Sequence, residues 1–139
     1  MPISKLIISY VLTFAVFFII DIAWLGFVAK DIYKKYLGNL LSDNVNWAAA
    51  IVFYLLFVVG IFIFAIMPSV DKNSLQSAII LGALFGFFTY ATYDLTNLAT
   101  LKDWSITIVF IDIIWGAVLT SIVSTAGFYI VQYMGSSNG

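Results

Sequence analysis

The stretch Ile20-Asp21-Ile22-Ala23-Trp24 nearly repeats further along the chain as Ile111-Asp112-Ile113-Ile114-Trp115. Each copy sits inside a long apolar run, the first from about Leu6 to Val28 and the second from about Trp104 to Tyr133. A helix needs about 20 such residues to cross a bilayer. An aspartate at the centre of such a helix costs roughly 2.5–3.5 kcal/mol on insertion scales, and acids retained there tend to mark function. Two acids, each followed three positions later by tryptophan, therefore predict both a membrane location and a built site within it.

Two further apolar runs complete the set, from about Trp47 to Met67, where Pro68 removes a backbone donor, and from about Leu75 to Leu98. The chain is 63% hydrophobic and 9% charged, whereas a soluble domain carries about 25% charged residues. No soluble core of this size hides so much apolar surface, so the bilayer is the solvent. The length of the first run, and the lack of a small-residue cleavage site after it, predict a retained helix and not a signal peptide. The expected fold is all-α: one domain over residues 1–139, an integral membrane bundle of four transmembrane helices at about 6–28, 47–67, 75–98 and 104–133. The polar tail Gly135-Ser136-Ser137-Asn138-Gly139 is expected to be disordered.

Several chemistries are closed by composition. The formal net charge of -1 excludes a basic nucleic-acid binder. Arginine is absent, so no guanidinium fork grips phosphate. Cysteine and histidine are absent too, which excludes disulfides, thiolate nucleophiles, histidine-ligated haem and His-rich zinc or di-iron centres. No cofactor is expected. Aspartate is the only acidic residue type.

Lysine placement predicts orientation. Lys30, Lys34, Lys35 and Lys102 fall on one side and Lys5 and Lys72 on the other, so residues 29–46 and 99–103 are expected to be cytoplasmic. Trp47, Trp104, Tyr33 and Tyr36 read as an aromatic belt on that side. Asp103 is the expected N-cap of the fourth helix, and Asn73 or Ser74 that of the third.

Helix rise then fixes depth. Asp21 lies late in the first helix, Asp94 late in the third and Asp112 early in the fourth, so all three fall within ~6–12 Å of the lysine-rich surface. Tyr90, Tyr93, Asp94 and Asn97 follow i, i+3, i+4, i+7 spacing on one helical arc. Ala78, Gly82 and Gly86 form a small-residue stripe for close helix packing. No basic residue lies inside the helices, so neighbouring carboxylates cannot all ionise; they hold protons between them or a cation. A structural alternative pairs Asp21 with the Trp115 indole and Asp112 with that of Trp24, a reciprocal clamp between the first and fourth helices. The Tyr93-Asp94 pair lacks the Gly-x-Gly-Asp partner of intramembrane aspartyl proteases, which sets that chemistry aside.

The motifs Phe18-x-x-Asp21-x-x-Trp24-Leu25-Gly26, Phe53-Tyr54 with Gly60, Gly82-Ala83-x-x-Gly86-x-x-x-Tyr90-Ala91-x-Tyr93-Asp94-Leu95-Thr96-Asn97, and Trp104 followed by Asp112-x-x-Trp115-Gly116 span nearly the whole chain. Together they resemble the small bacterial membrane-protein family catalogued as domain of unknown function 2177. The resemblance implies a four-helix protein of the bacterial cytoplasmic membrane. It implies no established activity, but a genomic association with lipid-modifying enzymes such as cyclopropane-type fatty-acid synthases.

The sequence therefore predicts a carrier or ligand-binding membrane protein whose polar site comprises Asp21, Trp24, Tyr90, Tyr93, Asp94, Asn97, Asp112 and Trp115, coupled to protons or a cation. The alternatives are an enzyme or accessory subunit in membrane lipid modification, and a structural subunit held by Asp–Trp clamps. Expected partners are membrane lipids and a second copy of the chain or another membrane protein.

Overall fold

Backbone polar groups in hydrocarbon must satisfy one another, and helices do so within a single segment. The computed structural model describes residues 1–136, and among these it has four helices long and apolar enough to span: Ile3–Val28, Trp47–Asp71, Leu75–Thr100 and Ile106–Ser136. Gly135 and Ser136, expected in a disordered tail, close the last turn of the fourth span, while the rest of that tail lies outside the described residues.

The second span runs through Pro68 to Asp71 instead of stopping before it. Residues Phe62–Ile66 widen into a π-helical turn, and Pro68 then occupies the first turn of the helical segment Met67–Asp71. A proline there forfeits little, because the altered register has already loosened the bond its missing N–H would make. The first span also ends in a π-helical turn, Trp24–Val28.

Short segments join the spans. Residues Lys30–Leu37 form a helix of their own, followed by a 3-10 turn at Gly38–Leu40. Asn46 caps the second span, its side chain accepting from Ala49 N at 3.1 Å. Ser74 caps the third, accepting from Ser77 N at 3.1 Å, while Asn73 takes a left-handed turn with φ 49°. The fourth span is capped by Ser105, which accepts from Ile108 N at 3.4 Å, and not by Asp103. Asp103 sits at φ 63°, a turn conformation that short polar side chains tolerate, so the helix starts two residues later than Trp104.

The fourth span is the centre of the bundle, packing most extensively along the third and also along the first. Small residues make the first of these contacts possible. A Cβ added at Gly82 would lie 2.6 Å from Ser124 Cβ and 2.7 Å from the Thr120 carbonyl, and one at Gly86 would collide with the Gly116 carbonyl. Ser121 Oγ crosses the same seam to donate to Ile79 O at 3.0 Å. Phe17, Val58, Ile61, Ile66, Leu119 and Val123 fill the core between the first, second and fourth spans.

The second span is docked unevenly. Its π-helical turn packs on the third and fourth spans, whereas its first half, Trp47–Ile61, packs chiefly on the first, with Tyr10 Oη donating to Leu55 O at 2.8 Å. Between that first half and the third span lies an apolar hollow of about 330 Å³ lined by Phe53, Phe57, Thr89, Tyr90 and Tyr93.

Candidate functional site

Asp21 and Asp112 are buried at the level where the first and fourth spans meet. Because Asp-x-x-Trp places both side chains on one helical face, packing the two spans together brings the four groups into one layer. The indoles of Trp24 and Trp115 stack, with centroids 4.2 Å apart and planes 9° from parallel. The stacking breaks the Asp112–Trp24 half of the expected clamp, while the Trp115 indole stays beside Asp21. Stacking fixes the ring planes, and the N–H of Trp24 points instead at Tyr33 Oη, 3.4 Å away. Trp115 Nε1 lies within electrostatic reach of Asp21 but closes no hydrogen bond among the described residues.

Tyrosines serve the carboxylates in place of indoles. Tyr54 Oη donates to Asp21 Oδ2 at 3.0 Å, and Tyr33 Oη donates to Asp112 Oδ1 in a short hydrogen bond. Tyr33 reaches the site because the helix Lys30–Leu37 folds back over the end of the bundle. Burial, reinforced by the Asp112 carboxyl, holds its phenol above the ordinary tyrosine range, so it remains a donor at any physiological pH.

Asp94 is fully buried, and neither of its carboxyl oxygens finds a hydrogen-bond partner among the described residues. The Asp112 carboxyl and the Trp104 indole are within its electrostatic reach, and Trp104 Nε1 is likewise buried and unpartnered. Asp94 and Asp112 thus form a carboxyl pair, and Asp21 lines the same cavity as Asp112, within its electrostatic reach. Among the described residues, no three acidic side chains gather closely enough to hold a metal ion.

A cavity of about 360 Å³ joins these groups. Of the residues expected at the site, Asp21, Trp24, Tyr90, Tyr93, Asp112 and Trp115 line it. Asp94 lies behind the wall, and Asn97 lies one turn beyond Tyr93, whose hydroxyl it contacts. Tyr33, Tyr54 and Trp104 also line the cavity and were not expected there. Of the supposed aromatic belt, Trp47 and Tyr36 are exposed, but Tyr33 and Trp104 turn inward, Trp104 packing edge-on against Tyr93 at 5.7 Å. Tyr54 was discoverable: it lies seven residues inside the second span, the same depth at which Asp21 lies inside the first. Tyr33 carried no such signal, because its depth depends on a fold-back that periodicity does not encode.

Tyr33→Phe tests this network. It removes the donor to Asp112 and the acceptor of Trp24 Nε1 together, so a loss of about 1–2 kcal/mol in thermal or denaturant unfolding is expected. Unchanged stability would mean that the bond is not made in the membrane.

Fold and site together define a polytopic helical membrane protein with a buried carboxyl and aromatic cavity. The chain belongs to the family described as predicted membrane protein (DUF2177), whose model matches residues 6–129. No curated protein and no solved structure matches it.

Proposed function

We propose that this protein is a small carrier or ligand-binding protein that holds its guest in the cavity between Asp21 and Asp112. One observation carries the reading: two carboxyls face a cavity with aromatic walls, and a third, Asp94, is buried behind them with no hydrogen bond closed among the described residues. A site of this kind is costly to keep in a membrane for packing alone. Asp94 and Asp112 act as a pair that takes up one proton when the guest leaves and releases it when the guest binds. Tyr33 and Tyr54 orient the two cavity carboxylates, Tyr90 and the stacked indoles form the walls, and Asn97 steadies Tyr93. Four helices barely enclose a pathway, so a carrier would work as a homodimer.

The lysines support an orientation with residues 29–46 and 99–103 in the cytoplasm of a bacterial cell. Lys34, Lys35 and Asp103 border one surface hollow, whereas Lys5 Nζ donates to Met134 O at 3.0 Å at the opposite end. A second reading, an accessory to membrane lipid modification, draws support from the apolar hollow between the second and third spans. It requires that deleting the gene alter membrane lipid composition.

Native mass spectrometry of gently purified protein, wild type beside Asp112→Asn, tests the leading proposal. A discrete extra mass present in wild type and lost in the variant is the expected result. Bare protein in both samples would overturn it.

A further inference from the structure

The cavity has a chemical bias and an apolar extension. Its charged wall is made of Asp21 and Asp112, and its remaining polar groups sit on the aromatic rings of tyrosine and tryptophan. No lysine lines it among the described residues, and the chain has no arginine. Carboxylates backed by Trp and Tyr faces suit an organic ammonium, which the acids attract and the ring faces cradle without demanding water. The same wall repels phosphate, sulfate and carboxylate, because nothing there balances a negative charge. Asp94, buried behind Asp112 with no hydrogen bond closed among the described residues, adds a carboxyl whose shared proton an arriving cation would displace.

The apolar extension begins at the same residues. Phe53, Tyr90 and Tyr93 line both the acidic cavity and the hollow of about 330 Å³ between the second and third spans. Thr89 in turn borders a further groove of about 400 Å³, which continues along Phe64, Phe85, Leu84 and Leu81. Together the hollow and the groove, which meet at Thr89, border ~18 Å of the third span from Tyr93 to Leu81, comparable with the ~15 Å of hydrocarbon in one leaflet. Phe53 and Tyr93, at its upper mouth, are 51% and 56% exposed, and at that depth exposure means exposure to lipid.

We infer that the guest is a single-tailed cationic amphiphile: an amine or quaternary ammonium without phosphate, its head between Asp21 and Asp112 and its tail in the crevice between the second and third spans. It reaches the site sideways from the leaflet. This rests on the ligand-site reading above and narrows it to a substrate class.

The test uses the full-length protein in nanodiscs, titrated with octyltrimethylammonium and followed by tryptophan fluorescence against protein-free nanodiscs. Octyl sulfate and octanol carry the same tail with a different head, octyl-chain lysophosphatidylcholine adds phosphate to the ammonium, and tetramethylammonium removes the tail. Octyltrimethylammonium should saturate and bind at least about tenfold more tightly than each of the other four. Asp21→Asn and Asp112→Asn should each weaken it about tenfold or more. Leu84→Trp fills the groove without touching the acids, and should abolish the gain in affinity on lengthening the tail from octyl to dodecyl. That variant decides the matter even if an aspartate variant fails to fold. Equal binding of octanol or octyl sulfate overturns the inference, as does indifference to all three substitutions. If that happens while native mass spectrometry still finds a guest lost in Asp112→Asn, the substrate class falls and the ligand site stands. If no guest and no probe binds, both fall.

Discussion

Gly86→Ala should cost the bundle about 3 kcal/mol, the upper end of what overpacking does. The added methyl would run into the carbonyl of Gly116, which is backbone and cannot rotate away. The third and fourth spans would have to move apart, loosening the most extensive packing in the molecule. In a bilayer the loss is sharp, because lipid is as apolar as the side chains and only close contact drives helix association. Equilibrium unfolding in mixed micelles checks this, with Gly26→Ala as the control. Among the described residues nothing lies within 4 Å of a Cβ at Gly26, so that change should be neutral or slightly stabilising. Equal stability of the two variants would show that the seam is not as tight as described.

The second large effect has the opposite sign. Asp94→Asn should stabilise the fold by about 1–3 kcal/mol while weakening whatever the cavity binds. Two carboxyls buried side by side, with no hydrogen bond to Asp94 closed among the described residues, are a standing cost even when they share a proton. Asparagine keeps the shape, removes the need for a shared proton and offers an N–H to Asp112. A rise in melting temperature accompanied by loss of ligand mass is the expected pair of results. A fall of more than about 1 kcal/mol would reveal a donor to Asp94 and sink the argument. Asp112→Asn should show no such gain, because Tyr33 already serves that carboxylate.

Much of this architecture was legible in the residues alone. Apolar length gave the four spans, and rise per residue placed Asp21, Asp94 and Asp112 at one depth. The stripe of Ala78, Gly82 and Gly86 announced a close helix contact, and its partner proved to be the fourth span. Rotation about each helix axis was not legible, and rotation turns Asp21 and Asp112 into the cavity while leaving Asp94 out of its lining. Hydrogen-bond direction was hidden for a related reason. The Asp-x-x-Trp spacing brings indole and carboxylate together, but the stacking of Trp24 on Trp115 decides where the N–H points. Pro68 misled because an isolated proline reads as a stop, while the widened turn before it depends on the backbone of Phe62–Ile66.

The bond from Tyr54 to Asp21 has a meaning for biogenesis as well as for the finished site. A polytopic chain enters the bilayer from its N-terminus, so the first pair of spans waits there before the second pair is made. Asp21 would face hydrocarbon alone during that interval if its donor lay on a later span. Its donor lies on the very next one, so the first hairpin arrives already neutral in hydrogen-bonding terms. Asp94 and Asp112 then arrive together on the second hairpin, and the Tyr33 hydroxyl is waiting for Asp112. The order in which the chain is threaded thus matches the order in which its acids find company.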